Sequence, residues 1–238
     1  MKAGILAAGL GERLRSGGIT TPKALVRVGD RMLLSHALSA VAEAGAREAV
    51  IAVNDRDADA VGAALRDDAP PIPFELVRRT TASSFETFTL LAPRLRGESH
   101  ALVAMVDGVF QPGAASHFGD VARKLAEASA QDPPEGLIGV TDRHDEDRPL
   151  RVSLDPEGRI LAIGPGAEGS PWSTAGLYLL PEQAFAPTTL AEGLGALREL
   201  LARLVESGLR LRSHTLGVVV DVDRPDDLAA AEILSRDT

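Results

Sequence analysis

The chain has 238 residues, 45% of them hydrophobic and 25% charged, which is enough to bury a sizeable core. A net charge of -9 argues against nucleic acid as the main partner, because a phosphate backbone calls for a basic surface. The absence of cysteine excludes disulfides and thiolate metal sites.

In chain order, apolar runs alternate with helical patterns. Ala3 to Leu6 is a continuously apolar strand, followed by the loop Ala7-Ala8-Gly9-Leu10-Gly11 and a helix. Further helices are expected at Leu33–Ala44, Asp57–Arg66, Ser83–Leu91, Ala114–Ala130 and Leu190–Ser207. Strands are expected at Ala49–Val53, Phe74–Val77, Ala101–Val106, Leu137–Thr141, Ala175–Leu180 and Leu216–Val222. Such alternation predicts an α/β fold, a doubly wound and mostly parallel sheet forming one domain over residues 1–238. Asp155-Pro-Glu-Gly158 sits between Leu150–Ser153 and Arg159–Ile163, which reads as a small antiparallel insertion after the charge run Asp142 to Arg148. Glu12, Arg13 and Arg15 end the first apolar run too early for a signal peptide, and no later run approaches membrane-spanning length. The expectation is a cytoplasmic protein with no membrane partner.

The first loop carries the most chemistry. Gly9 and Gly11 lack a Cβ, so backbone N–H groups there can turn toward phosphate oxygens. Arg13 and Lys23 add positive charge. The chain's only lysines are Lys2, Lys23 and Lys124, so a lysine at 23, in a protein that elsewhere uses arginine, suits a site needing a compact point charge among phosphates. Two familiar phosphate loops are excluded by spacing. A P-loop needs Gly-Lys-Ser/Thr, but Lys23 lies between Pro22 and Ala24, and a dinucleotide fingerprint needs a third glycine where Leu14 stands.

Leu6-Ala7-Ala8-Gly9, Gly11, Arg13-Leu14 and Pro22-Lys23-Ala24-Leu25 together resemble the signature of sugar-phosphate nucleotidyltransferases, most of all the uridylyltransferases of amino-sugar 1-phosphates. The chain departs from it at Gly29-Asp30-Arg31, where such enzymes usually have Gly-Lys-Pro. The resemblance implies a Rossmann-like fold, with a nucleoside triphosphate and a phosphorylated acceptor as partners. It makes Arg13 and Lys23 catalytic and puts Leu6, Ala7, Ala8, Gly9 and Gly11 around the nucleotide, with base and ribose read near Ser83 and Ser84. A helix cap is the alternative role for those serines. Gly176 falls where the family brings backbone against the sugar, although the Glu-Lys that often precedes it is replaced by Ile163-Gly164-Pro165-Gly166. The L-A-A-G form further implies a pyrimidine nucleotide, UTP before CTP, with the Ala8 methyl narrowing the base pocket.

Acidic residues end two strands. Asp107 follows Ala101–Val106, and Asp221 lies in Val220-Asp-Val-Asp-Arg-Pro-Asp-Asp-Leu228. Ligands of open α/β sheets collect beyond the carboxyl ends of strands, and Mg²⁺ takes one or two carboxylates together with substrate phosphates and waters. Asp107 with Asp221 is therefore the expected Mg²⁺ pair. Asp223 is the substitute ligand, on the same face as Asp221 if the strand continues, and the resemblance also favours Asp221. Asp226 and Asp227 are expected to cap the next helix behind Pro225.

His36, His100, His117, His144 and His214 have no metal-ligand spacing, and no Gly-x-Ser-x-Gly elbow is present, so none is assigned a catalytic role. The expected reaction is displacement at the α-phosphorus with release of pyrophosphate. Two other readings stay open at this level: a regulatory protein that binds nucleotide without turnover, and a metal-dependent glycosyltransferase that uses Asp221-Val-Asp223 toward an NDP-sugar.

Overall fold

The computed structural model describes residues 1–128, 134–143, 149–190 and 194–236. Its strands and helices in chain order are β1 (Lys2–Ala7), α1 (Glu12–Ser16), β2 (Arg27–Val28), β3 (Arg31–Met32), α2 (Leu33–Glu43), β4 (Glu48–Val53), α3 (Ala58–Asp68), β5 (Phe74–Arg78), α4 (Ser84–Leu95), β6 (His100–Met105) and β7 (Gly108–Phe110). There follow α5 (Ala114–Ala128), β8 (Glu135–Thr141), β9 (Val152–Leu154), β10 (Ile160–Ile163), β11 (Ser173–Pro181), α6 (Pro187–Leu190), α7 (Leu197–Glu206), β12 (Arg210–Thr215), β13 (Val219–Asp221) and α8 (Asp227–Arg236). Residues 129–130 of one expected helix, 191–193 of another, and 144–148 of the charge run, with His144, lie outside the described residues.

Seven strands form one sheet in the order β12-β8-β11-β6-β1-β4-β5. Six run parallel, and β11 alone runs antiparallel to its neighbours β6 and β8. The central β1 shows why its sequence is apolar without a break. Ala3, Ile5 and Ala7 face a core shared with Leu38 and Val41 of α2, Val61 of α3 and Phe118 of α5. Leu6, from the opposite face of the pleat, joins Phe88 and Leu91 of α4 and Leu200 of α7. Side chains alternate along a strand, so a strand covered on both faces has no place for a polar residue. The predicted doubly wound architecture is the one observed, and β9 with β10 forms the predicted antiparallel insertion.

One expectation fails at the carboxyl terminus. Leu216–Val222 is not the last strand of the main sheet. That place belongs to β12, whose Arg-Leu-Arg-Ser-His-Thr sequence carries only one large apolar residue because it is an edge strand. The insertion closes part of this edge through the Ser213 N–H, which donates to the Gly158 carbonyl at 2.9 Å. β13 instead leaves the sheet to pair antiparallel with β7, setting Asp221 opposite Gly108.

His36 and His100 serve the scaffold. Their Nε2 atoms lie 3.3 Å from the Val28 carbonyl oxygen and 2.9 Å from the Glu135 carbonyl oxygen. Burial holds both imidazoles below the usual histidine pKa, and so neutral.

α5 meets the end of α2 at Gly119, where an added Cβ would fall 2.6 Å from the Ala44 Cα and 2.8 Å from its carbonyl carbon. Backbone cannot step aside as a side-chain tip does. Gly119→Ala is expected to destabilise the protein by about 1–3 kcal/mol, the usual range for an overfilled contact. Urea denaturation would show this as a lower midpoint at unchanged slope, and an unaltered midpoint would disprove the close packing.

Candidate active site

β1 and β6 lie side by side and parallel, and the Val106 N–H continues the pairing by donating to the Leu6 carbonyl at 3.3 Å. The loop after β1 and Asp107 after β6 therefore leave the carboxyl edge of the sheet together, the position at which such sheets bind ligands. Gly11 begins α1 in the left-handed conformation (φ 62°), and its missing Cβ leaves room for Lys23, whose own Cβ would be only 3.2 Å away. Gly9 is exposed, and nothing lies within 4 Å of the place a side chain would take. A ligand can approach its backbone directly.

Lys23 opens a 3-10 turn behind Pro22 and is only 12% exposed. Its Nζ donates to Asp107 Oδ2 at 2.7 Å and to Asp223 Oδ1. Arg13 Nη1, on α1, donates to Asp223 Oδ2 at 2.7 Å. Burial works against the ammonium charge, but the Asp107 and Asp223 carboxylates outweigh it and raise the Lys23 pKa above the usual lysine range. Burial likewise opposes charge on Asp223, and Lys23 and then Arg13 overcome it, holding the carboxyl below the usual range. Two cations and two carboxylates thus share one partly buried cluster. Beneath it lies a small separate core of Leu14, Val26, Val28, Leu33, Val109, Val222 and Ala231, residues adjacent in sequence to several of the charged groups.

The structure brings Asp223, the substitute, to Lys23 and Arg13. The premise that the strand continues past Asp221 does not hold. β13 stops there, and the Asp223 N–H donates to the Asp221 carbonyl at 3.0 Å, a three-residue turn that re-aims the side chains. Asp221 stays on the strand pair beside Asp107, with Oδ1 3.5 Å from where a Gly108 Cβ would lie. Asp227 opens α8, and its Oδ2 ties the preceding turn by accepting the N–H of Asp223 at 2.8 Å and of Arg224 at 2.6 Å, donors that lie before the helix it was expected to cap.

As donors, Asp107 and Asp223 fit a divalent ion. Both offer hard oxygens, and both already converge on one cation. Among the described residues no group of three or more His, Cys, Asp or Glu side chains forms a full metal cage. A two-carboxylate site completed by substrate phosphates and waters is what magnesium ordinarily uses.

The remaining predicted residues divide between packing and backbone roles. Leu6 and Ala8 belong to one core and Ala7 to the other. Ala8 is 1% exposed, so its methyl does not line an open base pocket, contrary to the sequence expectation. Ser83 Oγ accepts the Glu86 N–H at 3.1 Å as the cap of α4, and Ser84 Oγ accepts the Leu197 N–H at 3.0 Å. Gly176 takes φ 75° within β11, where a Cβ would stand 3.4 Å from Met105 Cβ, next to the end of β6. It therefore presents backbone at the carboxyl edge, on the side of the sheet toward β8. Sequence reasoning missed Asp55, whose Oδ2 accepts the Thr80 N–H at 2.8 Å while its own N–H donates to Thr80 Oγ1 at 3.2 Å, tying the exits of β4 and β5 together. Its signal was the one that marked Asp107, an aspartate closely following an apolar strand.

A model of the MobA-like NTP transferase domain family matches residues 3–210. The chain belongs to this family. Its fold is shared with three solved structures. The inositol-1-phosphate CTP transferase from T. maritima superposes with a TM-score of 0.78 at 22% identity, over 98% of this chain and 94% of that one. A putative glucose-1-phosphate thymidylyltransferase from Bacillus anthracis gives 0.79 at 20% identity, over 100% and 96%. A UDP-glucose pyrophosphorylase complexed with UDP-glucose gives 0.74 at 16%, over 98% and 97%. By sequence, 66 residues are 46% identical to a mannose-1-phosphate guanyltransferase of Aspergillus fumigatus, a match covering 28% of this chain and 18% of that protein. The corresponding protein of Saccharomyces cerevisiae is 46% identical over 56 residues, 24% of this chain and 16% of that one. The chain thus aligns with less than a fifth of either curated relative.

The buried pairing makes a prediction about stability in this NTP transferase domain. Lys23→Ala leaves Asp107 and Asp223 facing each other without the intervening cation, so its melting temperature is expected to fall. Adding Asp223→Asn should recover part of the loss. Thermal unfolding of the two variants at pH 7 checks this, and an unchanged Lys23→Ala midpoint would show that the cluster stores no such repulsion.

Proposed function

We propose that the protein, acting as a single domain over residues 1–238, transfers a nucleoside monophosphate from a nucleoside triphosphate to a sugar 1-phosphate or similar phosphorylated acceptor. The observation that carries this reading is the cationic pair Lys23 and Arg13, set with Asp107 and Asp223 beside the open Gly9–Gly11 backbone. Family membership supports it, as do the fold relatives named as transferases to inositol 1-phosphate and glucose 1-phosphate.

In the reaction a phosphate oxygen of the acceptor forms a bond to the α-phosphorus as the bond from that phosphorus to the pyrophosphate oxygen breaks. Such transfers depend on alignment and charge neutralisation. Lys23 and Arg13 exchange their carboxylate partners for phosphate oxygens, and backbone N–H groups of the Gly9–Gly11 loop orient the triphosphate. Asp107 with Asp223 or Asp221 holds Mg²⁺, which when bound neutralises charge on the phosphates. Gly176 offers backbone to the acceptor.

The test is pyrophosphate release against a grid of four ribonucleoside triphosphates and a set of phosphorylated acceptors. The L-A-A-G resemblance, and not the buried Ala8 methyl, supports UTP before CTP and both before purines. Faster turnover of GTP than of UTP would refute the base assignment. Nucleotide binding without release of pyrophosphate in any combination would favour the regulatory reading.

The same assay ranks the charged residues. Lys23→Ala should cost about 10²- to 10³-fold in turnover, with little rescue by Lys23→Arg, because a planar fork replaces a compact charge. Activity should require a divalent ion, and Asp107→Ala should abolish it. Given the contacts of Asp223, its alanine variant should now cost more than Asp221→Ala. The reverse order would return the ligand role to Asp221, and activity that survives EDTA would remove the metal from the mechanism.

A further inference from the structure

Gly17 closes α1 with φ -84°, a conformation open to any residue, so backbone geometry does not explain a glycine there. Space does. A Cβ at position 17 would fall 2.5 Å from Pro225 Cγ and 2.7 Å from Pro225 Cδ. The proline ring cannot rotate away, and its chain is held as well. Asp227 Oδ2 accepts the N–H groups of Asp223 and Arg224, and the Leu228 N–H donates to the Pro225 carbonyl at 3.2 Å. Residues 223–228 therefore move as a unit, and a shift of the ring is a shift of Asp223. α1 grips this unit at a second point, through Arg13 on Asp223 Oδ2.

We propose that Gly17 and Pro225 are a positioning pair: the bare Gly17 backbone seats the proline ring and so sets where Asp223 presents its carboxylate to Lys23 and Arg13. The consequence for magnesium use rests on the transferase reading, whereas the geometric claim rests on the contacts alone.

The test compares crystal structures and half-saturating Mg²⁺ concentrations for the unmodified protein, Gly17→Ala, and Gly17→Ala with Pro225→Ala, which deletes the ring carbons in the way. Gly17→Ala is expected to open one or both Asp223 contacts beyond hydrogen-bonding distance. It should also raise the Mg²⁺ requirement roughly 10- to 100-fold, the scale seen when support for a metal ligand is lost. The double variant should recover both. In an Asp223→Asn background, Gly17→Ala should add no further Mg²⁺ cost, whereas a general loss of folding would add its cost in any background. Intact Asp223 contacts in Gly17→Ala, or a double variant no better than the single, would overturn the proposal. If the unmodified protein turns over without a divalent ion, the metal reading fails, and the crystallographic contacts still decide the role of Gly17.

Discussion

An ammonium group shared by two carboxylates is the interaction around which the carboxyl edge of this sheet is built. Lys23 is mostly buried, and an unpaired cation there would be costly. Asp107 and Asp223 make its burial tolerable, and Lys23 does the same for them. The arrangement is self-neutralised, with the cations Lys23 and Arg13 facing the carboxylates Asp107 and Asp223. Arg13 adds a second cation at the more exposed end of the cluster.

The scaffold fixes this cluster by simple means. Asp107 is placed by the central strand pair, Lys23 by a turn packed under Gly11, and Asp223 by a three-residue turn capped by Asp227. The small apolar core of Leu14, Val109 and Val222 lies under all of these segments. The two larger cores, one on each face of the sheet, fix β1 and β6 but do not reach the acidic turn. The position of the acidic turn thus depends on the small core, whereas Asp107 is fixed by the larger ones.

Much of this was readable in the residues themselves. The unbroken apolar run of β1 announced a strand covered on both faces, and the scarcity of lysine singled out Lys23. A helix cap was the alternative role left open for Ser83, and the structure uses it that way. What escaped was determined by partners far away in sequence. That Asp223 faces Lys23 depends on where pairing with β7 ends, which no local pattern encodes. β12 was missed because edge strands need few apolar residues. The methyl of Ala8 pointed to a base pocket only as long as its burial in the α4 core was unseen.

The contact between Lys23 and Asp223 spans 200 positions of the chain, whereas Lys23 and Asp107 are separated by 84. Strands β5, β4, β1 and β6, with the lysine and its first carboxylate, all lie within the first 107 residues. During synthesis the residues of this half of the sheet are made before those of the acidic turn. Closing so long a loop is among the slowest contacts a chain makes. The second carboxylate therefore arrives last, and the buried cluster gains its full complement of charge only as the carboxyl-terminal segment docks.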